Sequence, residues 1–373
     1  MQRSVPWSSQ YPGLSDWLLS LSPDAITALE RGQSTGDGFP TMDALLASQR
    51  RLTHVPLAAV HEAAKRTSLH AVRHRKSVQV GALVSLSGPL MASYGLDDVV
   101  DWCSGKGHLG RSITLAHRSR LTLVERDEAL CLEGRRLAED SGLECTALCE
   151  DVLGSDLSAR LPSRGLMVGL HACGALGEAL LTTSVRTKQS CVLYAPCCFH
   201  RGYPEASYRP MSTFGRGVSL TLTRSALRLP TLDEAVASPS KRARRLREQT
   251  WRLAVDLLIR EATGEEVYTP LGPAPKSWLA GSFEEFAARI TARSALPLPG
   301  NWSPEEALSA GAARAKEARA LGAARSVFRR PLELWLVLDR ALYLSEQGYQ
   351  VTLRRFCERS VSPRNLVILA HPS

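Results

Sequence analysis

Val99-Val100-Asp101-Trp102-Cys103-Ser104-Gly105-Lys106-Gly107-His108-Leu109-Gly110 is the stretch on which the fold turns. Two β-branched residues run into an acidic residue and then a glycine-rich turn, and from Leu109 the pattern becomes helical. Glycines in such a turn let the backbone come close to a ligand. A helix starting there points its free N–H groups and positive dipole end at that ligand. Gly105, Gly107 and Gly110 spell G-x-G-x-x-G, which alone is a weak signal. A second strand-like run, Leu121-Thr122-Leu123-Val124, ends on Glu125, twenty residues after Gly105. At that spacing an acidic side chain grips a ribose diol in nucleotide-binding βαβ units. Together the two signals imply an adenosine-containing cofactor.

Working outward, strands are predicted at 98–103, 121–125, 145–150, 166–171 and 190–196, with helices at 108–117, 127–141, 155–160 and 175–187. Strand–helix alternation marks a parallel sheet, and continuous apolar strands mark one covered on both faces. Near the other end, 331–347 reads as a helix, and 350–358 and 365–371 as strands. Only Arg359–Arg364 joins those last two, too few residues for a parallel crossover, so the pair is antiparallel. The fold class is therefore α/β, a Rossmann-like seven-stranded sheet, parallel with a C-terminal antiparallel hairpin. That is the layout of class I S-adenosylmethionine-dependent methyltransferases. An NAD-dependent oxidoreductase would lack the hairpin.

The flanks are helical. Residues 1–95 form an N-terminal helical region, with helix-like spacing at Asp16–Leu21, Ala25–Arg31, Met42–Leu52 and Leu57–Arg73. Residues 96–198 and 331–373 make the methyltransferase domain, and 199–330 a mainly helical insertion suited to substrate binding. The insertion holds the basic run Lys241-Arg242-Ala243-Arg244-Arg245-Leu246-Arg247 and an Ala/Arg-rich helix at about 305–328.

The chain has 373 residues, 44% of them hydrophobic, and a formal charge of +9. No apolar run approaches the roughly 20 residues of a membrane span, and the first residues lack the basic-then-apolar pattern of a secretory leader. The nine cysteines do not follow disulfide-framework spacings, so a reducing cytoplasm is expected. The positive charge favours a polyanionic partner, RNA above others. Two segments, 65–76 (Lys65, Arg66, His70, Arg73, His74, Arg75, Lys76) and 241–247, are the candidate phosphate contacts; the alternative is a pair of solvated basic faces.

Several motifs resemble a known group. Leu332-Glu333-Leu334-Trp335-Leu336-Val337-Leu338-Asp339-Arg340-Ala341-Leu342-Tyr343-Leu344 with Ser362-Pro363-Arg364-Asn365, Gly169-Leu170-His171-Ala172-Cys173-Gly174, and Pro196-Cys197-Cys198-Phe199-His200 are similar to motifs of the methyltransferase-like protein 25 family. The His-x-Cys-Gly and Cys-Cys segments also resemble, more distantly, the tRNA 2′-O-methyltransferase 13 family. The resemblance spans about 97–200 and 331–371 and implies methyl transfer with S-adenosylmethionine as cofactor, leaving the substrate open. RNA, tRNA among its forms, leads; a protein or small-molecule acceptor, or a non-catalytic cofactor-binding scaffold, are the alternatives.

The candidate cofactor contacts are Asp101, Ser104, Gly105, Gly107, His108, Glu125, Asp151, Val152 and His171. Gly105 and Gly107 would turn beneath the methionine moiety, Asp101 hold that end, Glu125 accept both ribose hydroxyls, and Asp151 meet the adenine amino group. The alternative for Asp151 is a helix N-cap. His171, Cys197, Cys198 and His200 are the candidate catalytic residues, converging with Cys173 if strands four and five are neighbours. They can line the pocket with a histidine as general base, present a cysteine nucleophile, bind zinc, or be buried cysteines acting as small hydrophobes. Pocket lining is adopted and no metal is assigned.

Overall fold

The structure is a computed structural model that describes residues 7–35, 38–59, 74–202, 208–232 and 238–372. Helices α1 (Leu14–Ser20), α2 (Pro23–Glu30), α3 (Pro40–Leu52) and α4 (His74–Tyr94) come first. Strand and helix then alternate: β1 (Asp98–Trp102), α5 (His108–His117), β2 (Arg120–Glu125), α6 (Glu128–Glu139), β3 (Cys145–Cys149), β4 (Leu166–Leu170), α7 (Ala175–Arg186) and β5 (Cys191–Ala195). Two short helices, α8 (Thr213–Gly217) and α9 (Arg224–Arg228), lead to the long helices α10 (Pro239–Thr263), α11 (Phe283–Ser294) and α12 (Pro304–Ser326). Helix α13 (Arg329–Glu346) and strands β6 (Tyr349–Arg355) and β7 (Leu366–Pro372) close the order.

The seven strands form one sheet in the order β3-β2-β1-β4-β5-β7-β6. The first five are parallel, and β7 lies antiparallel between β5 and β6. This is the mixed sheet expected from the sequence. Alternate strand residues serve opposite faces. Val100, Trp102, Val124, Met167, Val192 and Tyr194 join a core with Leu180 and Leu181 of α7 and Leu336 and Val337 of α13. Val99, Leu121, Leu123, Leu166, Val168 and Leu193 join another with Val80 and Leu83 of α4 and Ile113 of α5.

Four sequence expectations change. Helix α4 was not foreseen, and the helix expected over Leu57–Arg73 is not present in its described part. Leu57 instead bridges Arg355, and Ala58 N–H donates to the Arg355 carbonyl at 2.8 Å, so this segment runs along β6. Lys65, Arg66, His70 and Arg73 lie outside the described residues. The helix expected at 155–160 shrinks to a 3₁₀ turn, Ser158–Arg160, because Asp156 accepts the Ser158 N–H at 3.0 Å and Pro162 follows closely. Cys131 of α6 and Cys149 of β3 form a disulfide, which the spacings did not suggest.

The chain divides into two compact units, with bounds other than 95 and 199. One contains the sheet: Gln49–Val236 with Phe328–Ser373. The other joins Met1–Ser48 to Ala237–Val327. Within this helical unit, Leu18, Ile26, Leu29 and Met42 pack on Ala320 and Ala323 of α12, and Arg319 pairs with Glu30 at 2.8 Å. Val255, Leu258 and Ile259 of α10 pack on Phe286 and Ile290 of α11. Gly311 lets α12 approach α10; a Cβ there would stand 2.7 Å from the Thr250 carbonyl oxygen. The basic run Lys241–Arg247 is the exposed first turns of α10 rather than a loop before it. Among the described residues no helix is long and apolar enough to cross a membrane.

Candidate functional site

The strand order reverses between β1 and β4, and open α/β sheets bind ligands outside the carboxyl ends of the strands at such a point. A cavity of about 950 Å³ opens there. Its walls bring together Cys103, Glu125, Asp151, Val152, Cys173 and His200, from the loops after β1, β2, β3, β4 and β5. Arg201, Arg224 and Arg228 complete it with positive charge.

The glycine loop is built as the sequence implied. Gly105 and Gly107 have φ of 56° and 67°, the left-handed region that glycine enters at no steric cost. Nothing stands within 4 Å of where a Gly105 Cβ would be, whereas a Gly107 Cβ would meet Leu123 at 2.8 Å. Gly110 brings α5 onto β1: a Cβ would stand 2.7 Å from the Asp101 Cβ and from Leu121. Asp101 is buried beneath the helix start, where its Oδ2 accepts the Gly110 N–H at 2.8 Å. Burial lifts its pKa to about 7, against the opposing pull of the Gly110 hydrogen bond and Lys76. The Ser104 hydroxyl is buried and has no hydrogen-bond partner among the described residues.

Glu125 closes the loop from the end of β2. Its Oε2 accepts the Gly105 N–H at 2.9 Å and its Oε1 the Asp127 N–H at 3.0 Å. The carboxylate is thereby aimed, with acceptor capacity left over. Asp151 follows β3, accepts the Leu153 N–H at 3.0 Å and pairs with Arg126 at 3.4 Å. Of the candidate cofactor contacts, Glu125, Asp151 and Val152 stand in the cavity wall. Asp101, Ser104, Gly105, Gly107, His108 and His171 are not among its lining residues. His108 opens α5 and is pushed down to about 4, by burial first and then by Lys76, Arg111 and Lys106.

The loops after β4 and β5 meet. β4 pairs with β5 in parallel, Leu170 opposite Ala195. Beyond that pair the Ala175 N–H donates to the Arg201 carbonyl at 3.0 Å. Gly174 presses so closely on Arg201 that a Cβ would overlap its carbonyl. Tyr194 donates to the Ala172 carbonyl at 2.9 Å. His171 and Cys103 hold left-handed backbone, φ 74° and 55°, a conformation non-glycine residues rarely adopt and one that clusters at functional sites. Burial lowers the pKa of both His171 and His200.

These loops also place three thiols together. The sulfurs of Cys173, Cys197 and Cys198 lie within 4.8 Å of one another, Cys173 and Cys197 at 2.6 Å. Hydrogen bonds from Cys173 and Cys197 draw the Cys198 thiol strongly down, with Arg364 and His200 adding to the effect. Hydrogen bonding with Cys173 and Cys198, together with burial, drives Cys197 well up.

Among the cavity residues that sequence reasoning missed are Cys103, Arg126, Glu150, Arg201, Arg224 and Arg228. Arg224 and Arg228 sit on α9, a helix of five residues capped by Thr223, which has no periodicity long enough to read. Behind this wall, buried Asp339 of α13 accepts from Tyr208 Oη at 2.6 Å, Met211 N at 2.8 Å and Ser212 N at 3.0 Å. Its neighbour Arg340, fully buried, donates to Tyr208 at 3.0 Å and Glu178 at 3.1 Å and lies over the Phe199 ring. The Asp339-Arg340 pair thus anchors the chain that leaves β5. Asn365 of the Ser-Pro-Arg-Asn segment likewise ties the β6–β7 turn, donating to the Cys357 carbonyl at 2.7 Å.

Residues 75–202 match a family model described as a methyltransferase domain, less than half of the chain. Among curated proteins, the chain is similar to "Glutathione S-transferase C-terminal domain-containing protein" from Homo sapiens, 29% identical over 106 residues, covering 28% of this chain and 16% of that protein. The Xenopus laevis protein of the same name is 30% identical over 148 residues, covering 39% of this chain and 22% of that one. The chain thus spans less than a quarter of the length of these relatives. Among solved structures, a geranyl diphosphate methyltransferase in complex with GPP and sinefungin is 14% identical with a TM-score of 0.26, covering 54% of this chain and 71% of that one. Coclaurine N-methyltransferase bound to N-methylheliamine and SAH is 15% identical with a TM-score of 0.25, covering 50% and 62%. The sheet order and the glycine loop define a Rossmann-like fold, and residues 75–202 within it are similar to a methyltransferase domain.

Proposed function

We propose that this protein transfers a methyl group from S-adenosylmethionine to an anionic acceptor, with RNA as the leading one. The observation that carries the reading is the cavity at the β1/β4 switch point, where Glu125, Glu150 and Asp151 stand with Arg126 on one side and Arg201, Arg224 and Arg228 stand on the other. The acidic side suits a cofactor with a ribose diol and an adenine amino group. The basic side suits an acceptor carrying phosphate, and an overall charge of +9 draws polyanions to the protein. Exposed Lys241–Arg247 adds phosphate-binding surface in the helical unit. Resemblance of the His-x-Cys-Gly and Cys-Cys segments to a tRNA ribose methyltransferase family supports the same direction.

The loop fits the cofactor. Ser104 keeps an unpartnered buried hydroxyl, and Gly105 leaves open the volume a side chain would fill. Glu125 would take the ribose hydroxyls, Asp151 the adenine amino group, and Gly105 and Gly107 the methionine moiety; Asp101 would act by fixing the start of α5. Bound there, S-adenosylmethionine supplies an already activated methyl group on a sulfonium, so alignment and exclusion of water contribute much of the rate. A hydroxyl acceptor must also lose its proton. His171 and His200, their pKa values lowered by burial, are neutral at pH 7 and able to take it.

The test is transfer of labelled methyl from S-adenosylmethionine into lysate of cells lacking the protein, followed by RNase or protease digestion. Label removed by RNase supports the full reading. Label removed only by protease keeps methyl transfer and overturns RNA. No transfer, together with no calorimetric binding of S-adenosylhomocysteine, overturns the cofactor assignment.

A further inference from the structure

Cys173, Cys197 and Cys198 are not absorbed by methyl transfer, which needs neither a nucleophilic thiol nor a soft ligand for an oxygen acceptor. They come from two loops, after β4 and after β5, and meet with all three sulfurs within 4.8 Å. Zinc–thiolate bonds of about 2.3 Å in a tetrahedral shell set sulfurs roughly 3.8 Å apart. Three sulfurs within 4.8 Å are gathered near that scale, and Cys173 and Cys197, at 2.6 Å, need part by only roughly 1 Å to take two corners of such a shell. A disulfide would use two of them and strand the third, and buried thiols filling space would have no reason to converge from separate loops.

The donors are held by their surroundings. The Ala175–Arg201 hydrogen bond and the contact of Gly174 with the Arg201 carbonyl lock the two loops together, so the sulfurs are positioned by backbone. Cys197 is 6% exposed, and the Cys173 and His200 side chains face the cavity. An unpaired imidazole stands beside the three sulfurs, outside the 4.8 Å cluster they form. His200 Nδ1 is buried and has no hydrogen-bond partner among the described residues. It lies two residues beyond Cys198 in Cys-Cys-x-His and close enough to interact electrostatically with that thiol. A buried imidazole nitrogen left unpaired carries a desolvation cost that a hydrogen bond to a ligand in the fourth position would remove.

We propose that Cys173, Cys197 and Cys198 form a binding site for one thiophilic divalent cation, zinc being the type, with the fourth position open to a solvent molecule or small ligand from the cavity. Three thiolates supply three of the four positions of a tetrahedral shell. Binding releases the thiol protons to solvent. The ion clamps the β4 and β5 loops into one wall of the cavity. This goes beyond the proposed methyl transfer and stands without it.

The test uses the full chain, reduced, freed of metal with a chelator and titrated with cobalt(II), then zinc(II). Expected are thiolate-to-cobalt charge-transfer absorption, the visible bands of a tetrahedral site, displacement by zinc and one zinc per chain by elemental analysis. Cys173→Ser and Cys198→Ser each weaken binding more than about tenfold. Cys357→Ser, at a buried thiol outside the cluster, leaves it unchanged. Should the cysteine variants not fold, alkylation of the wild-type chain read by mass spectrometry replaces them: zinc must slow labelling of Cys173 and Cys198. A reduced chain that binds no cobalt, signals that survive in both serine variants, or labelling that ignores zinc would each overturn the site. None of these readouts involves S-adenosylmethionine, so failure here leaves the methyl-transfer reading intact.

Discussion

Asp101 Oδ2 accepts the Gly110 N–H at 2.8 Å with its side chain almost sealed from water. Burial raises this carboxyl to about 7, far above the roughly 3.9 of an unfolded aspartate. Between those values the folded chain keeps a proton that the unfolded chain has lost, so rising pH favours unfolding. Stability contributed by Asp101 is therefore full below about pH 4 and falls away up to about pH 7. Asp101→Asn keeps an acceptor for Gly110 without the charge. Urea denaturation across pH should show the variant gaining on the wild type through that window and running parallel above it. Curves that stay parallel throughout would refute the assignment.

Three glycines separate conformation from space. Gly110→Ala forces a Cβ against Asp101 and Leu121 and should cost about 1–3 kcal/mol, the range for overpacking. Gly107→Ala adds left-handed strain to a collision with Leu123 and should be worse. Gly105→Ala meets nothing and should cost only about 1 kcal/mol of backbone strain. Its effect should appear in affinity for S-adenosylhomocysteine, measured by calorimetry beside the melts.

Glu125 has two duties that one pair of variants divides. Glu125→Gln still offers one oxygen to the Gly105 N–H, but it lacks the charge and its NH2 cannot accept the exposed Asp127 N–H. S-adenosylhomocysteine should bind about 10- to 100-fold more weakly, the loss expected of hydrogen bonds to a charged acceptor, with little change in Tm. Glu125→Ala should lose affinity and stability together. Unchanged affinity in both would remove Glu125 from the cofactor site.

Arg340 is a fully buried cation tied to Tyr208, Glu178 and the Leu336 carbonyl. Arg340→Ala removes all three and should cost about 3–5 kcal/mol. Arg340→Lys should recover only part, because an ammonium cannot span the partners of a planar fork. Chemical denaturation decides; a loss below 1 kcal/mol for the alanine variant would contradict the anchoring role.

The Cys131–Cys149 disulfide closes a separation of 18 residues, so reducing it should cost about 3 kcal/mol. Midpoints compared with and without reductant measure this. A Cys131→Ser, Cys149→Ser double variant should match the reduced wild type and ignore reductant.

The first five strands and the glycine loop could be read from the sequence because each is local: a β-branched run, a turn residue, a helix start. The hairpin followed from the shortness of Arg359–Arg364 alone. Helix α4 escaped because Ser85, Ser87, Gly88 and Pro89 interrupt its pattern, and Val80 to Val84 are buried as a continuous run rather than a stripe. Asp339 and Arg340 are charged residues in a helix, yet both are buried and held by partners more than a hundred residues away. Long-range pairing of that kind leaves no periodicity. The Cys131–Cys149 bond is hidden for the same reason, since connectivity does not follow from spacing. The cavity cysteines and histidines were visible as residues. Their convergence required β4 to lie beside β5.

The place of β7 has a consequence for how the protein is made. It is the last of the seven strands to leave the ribosome, yet it fills the interior position between β5 and β6. Until it arrives, the wholly apolar strand Cys191-Val192-Leu193-Tyr194-Ala195 presents an unpaired edge to other chains. The intervening helices must also be synthesised during that wait, a span of more than 160 residues. A nascent chain in this state is a target for chaperones and for edge-to-edge aggregation. Truncation before Leu366 would preserve every candidate cofactor contact and still yield a chain prone to precipitate.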